Sequence, residues 1–292
     1  MKFPKITIIT PSFNQGQYIE ETILSIINQD YPNLEFIIID GESTDETVSI
    51  IKKYESHIDY WVSEPDQGTW DANNKGLEQM TGDYWCVVNS DDILMPGALR
   101  HIARTIEEYP EVKWVSGGYR IIDAGSNLVN EKQPQVPEKL EGFSFLQGCW
   151  IAHCSTYLHR SVIHNIGTFR NWHIMDYDYW LRMEVKHYSP LLIPEVLSAF
   201  RMHETSKTSQ KISLHEEIQG LISTFCKENN IPVTQALKQK NRERDIKSLQ
   251  LALSQGYTTG TQLMSYLFRY PDIITERWFW GGLKKALSET SI

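Results

Sequence analysis

The chain has 292 residues, of which 41% are hydrophobic and 22% are charged, and its formal net charge is −9. These values are typical of a soluble globular chain and exclude collagen-like, low-complexity and transmembrane classes. The acidic balance argues against nucleic acid as the main partner.

Charge divides the chain into two parts. Residues 205–292 hold 12 Lys and Arg against 8 Asp and Glu, a net charge of +4, whereas residues 1–204 hold 16 against 29, a net charge of −13. An acidic body followed by a basic segment predicts two structural units.

Cysteine usage and the N-terminus indicate the compartment. The four cysteines are scattered, form no CxxC pair and show no common zinc-site spacing: Cys86, Cys149, Cys154 and Cys226. The segment MKFPKITIIT lacks the pattern of a secretory signal peptide, and no apolar run is long enough to span a bilayer. We therefore expect reduced thiols and a cytoplasmic protein.

The first 120 residues alternate between two hydrophobic patterns. Short apolar runs predict strands in KITIITP, LEFIIID, IDYWVSE and DYWCVVN. Helical spacing of apolar residues follows each strand, in QYIEETILSIINQ, STDETVSIIKKY, TWDANNKGLEQM and PGALRHIARTIEEY. This alternation predicts an α/β fold with a mostly parallel sheet flanked by helices.

Beyond residue 120 the pattern changes. We predict a strand in VKWVSGGYRIID, mixed short elements in GFSFLQGCWIAHCSTYLHR, a helix in MDYDYWLRMEVKH and a strand in SPLLIPEVLSAFRMH. After about Ser206 the sequence becomes helical and polar. The predicted organisation is therefore an α/β domain over 1–205 and a helical C-terminal extension over 206–292.

Polar loops follow the first four predicted strands: TPSFNQG, DGESTDE, EPDQG and NSDD. Ligands of parallel sheets bind beyond the carboxyl ends of the strands, where these loops would converge. The pattern favours a binding site at this edge over unrelated polar turns and helix caps.

Residues 5–209 resemble the family-two glycosyltransferases. The likeness covers TPSFNQGQYIEETILSIINQDYPNLEFIIIDGESTDET, SEPDQGTWDANNKGLEQMTGDYWCVVNSDDILMPGAL, MDYDYWLR and FRMHETSKTS, in this order. The resemblance implies a Rossmann-like GT-A fold, with a nucleotide-sugar half at about 1–120 and an acceptor half at about 121–205. It implies inverting transfer from a nucleotide sugar, with a UDP-sugar favoured, to a glycan or lipid-linked acceptor of bacterial surface polysaccharide.

The resemblance also implies a donor site. Asp40 would face the uracil, since a carboxylate accepts a ring N–H, although a cap on the following helix is an alternative role. Thr10, Pro11 and Ser12 would line the base pocket. The remaining residues expected to contact the donor are Asn14, Ser43, Asp66, Gly68, Asp71, Asn74, Lys75, Asn89, Ser90, Asp92 and Arg201.

A divalent cation would reconcile an acidic body with a diphosphate. Mn²⁺ or Mg²⁺ bridges carboxylate and phosphate oxygens and neutralises the leaving group. NSDD is similar to the D-x-D metal motif of the family, which makes Asp91 the expected ligand, supported by Asp92. Asn89 occupies the first acidic position, where an amide can contact ribose but carries no charge. The alternative for the two aspartates is a helix cap.

His203, in FRMHETS, is a second candidate ligand for metal or diphosphate, and a structural histidine is the alternative. Arg201 and Lys207 flank it and could touch phosphate. A further cation is missing, because Asn73 stands where many relatives carry Arg.

Inversion needs a base that takes the proton of the acceptor hydroxyl. The resemblance assigns this role to Asp176, within an acidic pair whose Glu is replaced here by Met175. We expect Asp178 to be structural or supporting, and His153 to bind the acceptor or to pack in the core. Three aromatic residues could stack on a sugar or pack in the core, which is favoured for the last: Trp172, Tyr177 and Trp180.

The C-terminal extension combines aromatic and basic residues: Tyr266, Phe268, Tyr270, Trp278, Phe279, Trp280, Lys284 and Lys285. This mixture suits a membrane interface. One hypothesis is peripheral contact with the inner face of the membrane, near a lipid-linked acceptor. A helical cap on the core or a contact in a homo-oligomer is the alternative.

Two other function classes would require different residues. A sugar-phosphate nucleotidyltransferase should carry a Gly-rich, basic loop after the first strand, and TPSFNQG lacks one. A non-catalytic nucleotide-sugar binder would keep Asp40 but need neither Asp91 nor Asp176. A G-x-G-x-x-G loop and a Walker-type lysine loop are also absent from the sequence.

Overall fold

The computed structural model describes residues 3–204, 206, 211–254 and 260–289. Its contacts divide the chain into two compact units, one formed by 1–139 with 143–204 and the other by 140–142 with 205–292. The boundary lies where the net charge of the sequence changes sign.

The first unit is built on a nine-stranded sheet with six helices. The strands are β1 Ile6–Ser12, β2 Leu34–Asp40, β3 Tyr60–Ser63, β4 Tyr84–Val87, β5 Ile93–Leu94, β6 Trp114–Ile122, β7 Leu128–Lys132, β8 Thr156–His159 and β9 Leu191–Arg201. The helices are α1 Ile19–Ile27, α2 Thr47–Lys53, α3 Thr69–Gln79, α4 Ala98–Glu108, α5 Ser161–Ile166 and α6 Met175–Val185.

The strand order is β3-β2-β1-β4-β8-β6-β9-β5, and β7 pairs with β6. The four strands β3, β2, β1 and β4 are parallel, as predicted. Beyond them the sheet is mixed, because β8 runs antiparallel to both β4 and β6 while β6 and β9 are parallel. Ser12, Asp40 and Ser63 lie side by side in this register, so the ends of β1, β2 and β3 meet at one edge.

Both faces of the parallel half are covered, which explains the continuous apolar runs of its strands. Ile6 and Ile8 of β1 join one core cluster with the apolar face of α1, which includes Ile19 and Ile23. On the opposite face α3 packs so closely that a Cβ on Gly76 would lie 2.4 Å from Ile9 Cγ2. Glycine at position 76 therefore allows the close approach of α3 to β1.

The second unit consists of α7 Lys211–Glu228, α8 Gln235–Ser254, α9 Gly260–Arg269 and α10 Arg277–Glu289. Its small core contains Leu249, Leu253, Tyr266, Ile273 and Phe279. The described helices include none that is long and apolar enough to cross a membrane.

A buried carboxylate joins the strands at the sheet end opposite the polar loops. Glu35 of β2 accepts hydrogen bonds from Lys5 Nζ (2.7 Å), Thr7 Oγ1 (2.6 Å), Thr81 Oγ1 (2.5 Å) and the Gly82 N–H (3.2 Å). Burial alone would raise the pKa of Glu35, but the hydrogen bonds from Lys5, Thr7 and Thr81 outweigh it and lower the pKa to about 2.

This pKa predicts acid-sensitive stability. The folded-state pKa lies below the ordinary value of 4.5, so the ionised group stabilises the fold above about pH 4.5 and this contribution is lost toward pH 2. We expect Glu35→Gln to lower the free energy of unfolding by about 3 kcal/mol at pH 7 and by progressively less toward pH 2, measured by urea denaturation. Glu78→Gln, an exposed control on α3, should change it by less than about 0.5 kcal/mol. A cost of Glu35→Gln that is independent of pH would contradict the assignment.

Candidate active site

The loops after β1 and β2 are joined by hydrogen bonds. The Asn14 N–H donates to Ser43 Oγ (2.7 Å), and Asn14 Oδ1 accepts the Thr44 N–H (2.9 Å). Asp45 Oδ2 accepts the Gly16 N–H at 2.8 Å. Asn14 has a φ of +51°, a left-handed conformation that asparagine tolerates well. The two loops therefore form one connected wall at the strand ends.

Asp40 lies at the centre of this wall and is fully buried. Its Oδ2 accepts the Ser43 N–H (2.9 Å) and the Ser63 hydroxyl (2.7 Å), and its Oδ1 accepts the Ser43 hydroxyl (2.5 Å). These bonds serve the loop, and α2 begins only at Thr47, so Asp40 is not a cap of that helix. The expected contact between Asp40 and a nucleobase stays a prediction.

Polar groups of β1 line the same region. Thr10 and Ser12 are buried, and within the described residues their hydroxyl oxygens make no hydrogen bond. Pro11 lies between them, opposite Ile39 of β2. The next residue, Phe13, has an aromatic side chain that is 59% exposed, and it is not among the residues predicted from the sequence. The only sequence signal for it is an aromatic side chain between two polar residues at a strand end.

The loop before α3 holds its own shape. Asp66 Oδ1 accepts the Gly68 N–H (2.7 Å), and Asp71 Oδ2 accepts the Gln67 N–H (3.1 Å). Gly68 has a φ of +114°, which favours glycine. Asp66 also approaches Gly41, where an added Cβ would lie 2.6 Å from its Oδ2. Asp66, Gly68 and Asp71 thus shape the loop, and their expected contacts with the donor stay a prediction.

Three polar residues of α3 have partners within the protein. Lys75 Nζ contacts the Glu64 carboxylate (2.7 Å) and donates to the Pro65 carbonyl (2.9 Å). Asn74 exchanges two hydrogen bonds of 2.9 Å with the backbone of Phe169, which fixes the segment before α6. Asn73 is fully buried, and its Nδ2 lies 3.5 Å from Met175 Sδ.

The predicted metal motif forms a tight turn after β4. Asp91 Oδ2 lies 3.0 Å from His203 Nε2. Asp92 is fully buried, and its Oδ1 accepts the Arg201 N–H at 3.0 Å. Burial, followed by repulsion from Asp91, raises the pKa of Asp92. Ser90 is also buried in this turn.

Arg201 supports the turn from β9 and is only 1% exposed. Its Nε donates to the Asp91 carbonyl (2.8 Å), its Nη1 to Ser126 Oγ (2.8 Å) and its Nη2 to Glu21 Oε2 (2.6 Å). The guanidinium also lies 5.0 Å from the ring centroid of Tyr18. The expected phosphate contact of Arg201 stays a prediction, and Lys207 lies outside the described residues.

The metal-ligating side chains suit a cation whose remaining ligands come from the substrate. Asp91 and His203 offer one carboxylate and one imidazole close together, and across the described ranges no cluster of three or more His, Cys, Asp or Glu could hold a metal ion. Mg²⁺ is usually bound through one or two carboxylates together with substrate phosphates. The residues present therefore suit a metal shared with a diphosphate better than a structural metal.

His153 lies between the turn and α6. Its Nε2 lies 2.9 Å from Asn89 Nδ2 and 3.7 Å from Asp92 Oδ2, and its Nδ1 lies 3.6 Å from Asp176 Oδ2. Burial opposes protonation of His153, but Asp176, then Asp92 and Asp91, outweigh it and raise the pKa of the imidazole. The structure thus brings Asp176 and the NSDD turn together around one histidine.

The residues near Asp176 divide into a site wall and core. A cavity of about 10 Å³ lies beside it, lined by residues that include His153 and Trp180. Tyr177 is buried and its hydroxyl donates to the Phe145 carbonyl, so it packs in the core. Trp180 is also buried and stacks on Trp114 at 5.3 Å, while it lines this cavity on another side. Trp172 is half-buried.

Asp178, two residues after Asp176 on α6, is buried. Its Oδ2 accepts the Arg182 Nε–H at 2.7 Å one turn later. A carboxylate held in this way stabilises the helix, which agrees with the structural role expected for Asp178.

Comparisons with known proteins identify the family of this chain. The model of the family described as Glycosyl transferase family 2 matches residues 7–167. TuaG of Bacillus subtilis, a putative teichuronic acid biosynthesis glycosyltransferase, is 29% identical over 213 residues, which cover 71% of this chain and 83% of TuaG.

Two solved structures share the fold at low sequence identity. TarS of S. aureus, solved with UDP-GlcNAc, matches with a TM-score of 0.61 and 18% identity over 82% of this chain and 71% of the TarS chain. The mannosyltransferase PcManGT from Pyrobaculum calidifontis, solved with GDP-Man and Mn²⁺, matches with a TM-score of 0.62 and 16% identity over 99% of this chain and 87% of that chain. The family match spans more than half of the chain and these neighbours share its fold, so the protein has the GT-A fold and belongs to glycosyl transferase family 2.

Proposed function

We propose that this glycosyltransferase moves a sugar from a UDP-sugar to a hydroxyl of a glycan or lipid-linked acceptor, with inversion and with a divalent cation, in bacterial polysaccharide biosynthesis. The observation that carries the proposal is the position of His153, 3.6 Å from Asp176 and 3.7 Å from Asp92. A carboxylate available for proton transfer thereby lies next to a carboxylate turn suited to a diphosphate.

The donor side requires charge compensation. Asp91 and His203 would hold Mn²⁺ or Mg²⁺, which would neutralise the diphosphate as it leaves. Arg201 fixes the Asp91 carbonyl and the Asp92 carboxylate, so the turn is positioned before a substrate arrives. This preorganisation reduces the cost of arranging charges during transfer.

The acceptor side requires a base. Asp176 would accept the proton of the acceptor hydroxyl. At the same time the hydroxyl oxygen would bond to the anomeric carbon, and the bond from that carbon to the diphosphate would break. The products are an inverted glycoside, the nucleoside diphosphate and a protonated Asp176. The position of Asp176 in the first turn of α6, with Asn74 fixing the preceding segment at Phe169, supports this role.

The choice of UDP rests on the wall formed by the first two loops. Thr10 and Ser12 offer hydroxyls that have no partner in the described residues, and the exposed ring of Phe13 could stack on a base. TarS was solved with UDP-GlcNAc and PcManGT with GDP-Man, so both nucleotides must be compared.

Metal-dependent nucleotide binding is the first expected outcome. In calorimetric titrations of UDP, GDP and dTDP with and without Mn²⁺, we expect UDP to bind most tightly and only with the metal. Asp91→Ala should weaken binding at least tenfold, since it removes one of two protein ligands. Asp123→Asn, a carboxylate in the loop after β6, is the control and should bind UDP within about twofold of wild type. Equal binding with and without Mn²⁺, unchanged in Asp91→Ala, would overturn the metal role.

A second expected outcome separates transfer from binding. Asp176→Asn should lower the rate of UDP release from a UDP-sugar by about 10²-fold or more, while UDP affinity stays within about twofold. The panel of donors is UDP-glucose, UDP-galactose and UDP-N-acetylglucosamine, with water as the acceptor. Asp178→Asn, on the same helix, should lower the melting temperature and leave the rate per folded molecule near wild type. Full activity of Asp176→Asn would exclude it as the base.

The C-terminal unit supports a membrane-bound acceptor. Met264 and Phe268 lie one turn apart on α9 and are 50% and 83% exposed, and Ile274 and Trp280 are 47% and 57% exposed. Arg277 and Lys284 of α10 are exposed as well. Exposed apolar side chains beside cations match the chemistry of an anionic membrane surface.

This proposal predicts binding to lipid. The full chain should sediment with phosphatidylglycerol vesicles and much less with phosphatidylcholine vesicles, and the double variant Phe268→Ser, Trp280→Ser should lose at least tenfold in affinity. Val233→Ser, which removes a side chain of the same unit that is 53% exposed, serves as the control and should bind like wild type. Absence of vesicle binding by the wild type, or binding that the double variant does not weaken, would exclude this surface as a membrane contact. Loss of a dimer in the double variant would instead indicate a contact between copies of the chain.

A further inference from the structure

We propose that His153 is a positioning residue: Asn89 holds the Nε2 of its ring, and the imidazole presents an N–H at Nδ1 to the carboxylate of Asp176. The inference rests on the proposed function, since it assigns the group that orients the base. It differs from the acceptor contact and from the core-packing role expected for His153 from the sequence.

The hydrogen bond to Asn89 determines which nitrogen of a neutral ring carries the proton. Asn89 Nδ2 lies 2.9 Å from His153 Nε2, and an amide nitrogen can only donate. Nε2 must then accept, and the single proton of the ring is on Nδ1. That nitrogen faces Asp176 Oδ2 at 3.6 Å.

Protonation of the ring does not remove this donor. Among the described residues, the charged groups that face His153 are three carboxylates, with Asp176 at 3.6 Å, Asp92 at 3.7 Å and Asp91 in the same turn. Their effect on the pKa of His153 exceeds that of burial. The imidazolium form also carries a proton on Nδ1, although its Nε2–H then requires the amide oxygen of Asn89 in place of Nδ2 as its partner. Asp176 therefore faces an N–H donor in both protonation states.

The distance of 3.6 Å is longer than a formed hydrogen bond. Such contacts in ligand-free active sites are often long and shorten when the substrate binds. An N–H that bonds to Oδ2 would leave Oδ1 of Asp176 available to accept the proton of the acceptor hydroxyl. It would also stabilise the carboxylate in one rotamer, which reduces the orientational cost of proton transfer.

The identity of residue 89 agrees with this role. A carboxylate at position 89 would accept a proton from Nε2 and would compete with Asp176 for the single N–H of the neutral ring. The neutral amide leaves that N–H to Asp176. Asparagine in place of an acidic residue at position 89 therefore affects the acceptor side of the site, because it leaves the His153 N–H to Asp176.

Two variants test the geometry. The side-chain nitrogen of asparagine can replace Nδ1 of histidine, and that of glutamine can replace Nε2. We expect His153→Asn to keep the rate of UDP release from the preferred UDP-sugar of the panel within about tenfold of wild type and His153→Gln to lose about 10²-fold. KM for the UDP-sugar should change by less than about threefold in both. An equal loss in the two variants, or a change in KM with kcat unchanged, would overturn the proposal.

A direct readout of the ring completes the test. In ¹⁵N-labelled full-length protein, the two-bond ¹H–¹⁵N spectrum reports the protonation of each imidazole nitrogen, and comparison with His153→Asn assigns the signals. Protonated Nδ1 supports the proposal, and a neutral ring with its proton on Nε2 overturns it. Absence of UDP release in wild type with every donor would count against the proposed function, whereas the spectrum judges the position of the proton independently.

Discussion

The site depends on keeping two adjacent carboxylates in one turn, with Asp91 partly exposed and Asp92 fully buried. Burial of Asp92 raises its pKa, and the neighbouring Asp91 raises it further. The turn is therefore stabilised by hydrogen-bond donors from several elements. Thr22 of α1 donates to the Asp92 carbonyl at 2.7 Å, and Arg201 of β9 donates through both backbone and side chain. His153 approaches from the segment before β8. The strand order β4-β8-β6-β9 brings these supports to one place, so the fold and the charge of the turn are linked.

Many of the polar residues near the strand ends form hydrogen bonds within the protein. Asn14 and Ser43 join two loops, Asp66 shapes a third, and Asn74 holds the segment before α6. These hydrogen bonds connect the loops without any ligand, so the proposed donor site would be ordered in advance. Binding would then cost less conformational entropy than the ordering of free loops.

The sequence predicted the first half of the fold because strands buried on both faces carry continuous apolar runs. It missed β5, which has two residues, and β7, whose five residues are all exposed and form a strand only by pairing with β6. The polar loops also predicted the position of the site, because the carboxyl ends of parallel strands meet at one edge of the sheet. The contacts of Arg201 with Glu21 and Ser126 join distant parts of the chain, so no local sequence pattern predicts them. The link from Asn89 through His153 to Asp176 likewise depends on packing.

One contact between two unusual residues has a consequence for how this chain can change. Asn73 and Met175 each replace a charged residue expected from the family resemblance, and their side chains lie 3.5 Å apart. The pair is neutral and buried, so the charged alternative is tolerated only if both members change together, because a lone buried charge costs several kcal/mol. Chimeras that exchange α3 without α6 would place an unpaired guanidinium against a thioether beside Asp176. Chimeras should therefore exchange α3 and α6 together, so that the side chains at positions 73 and 175 stay matched.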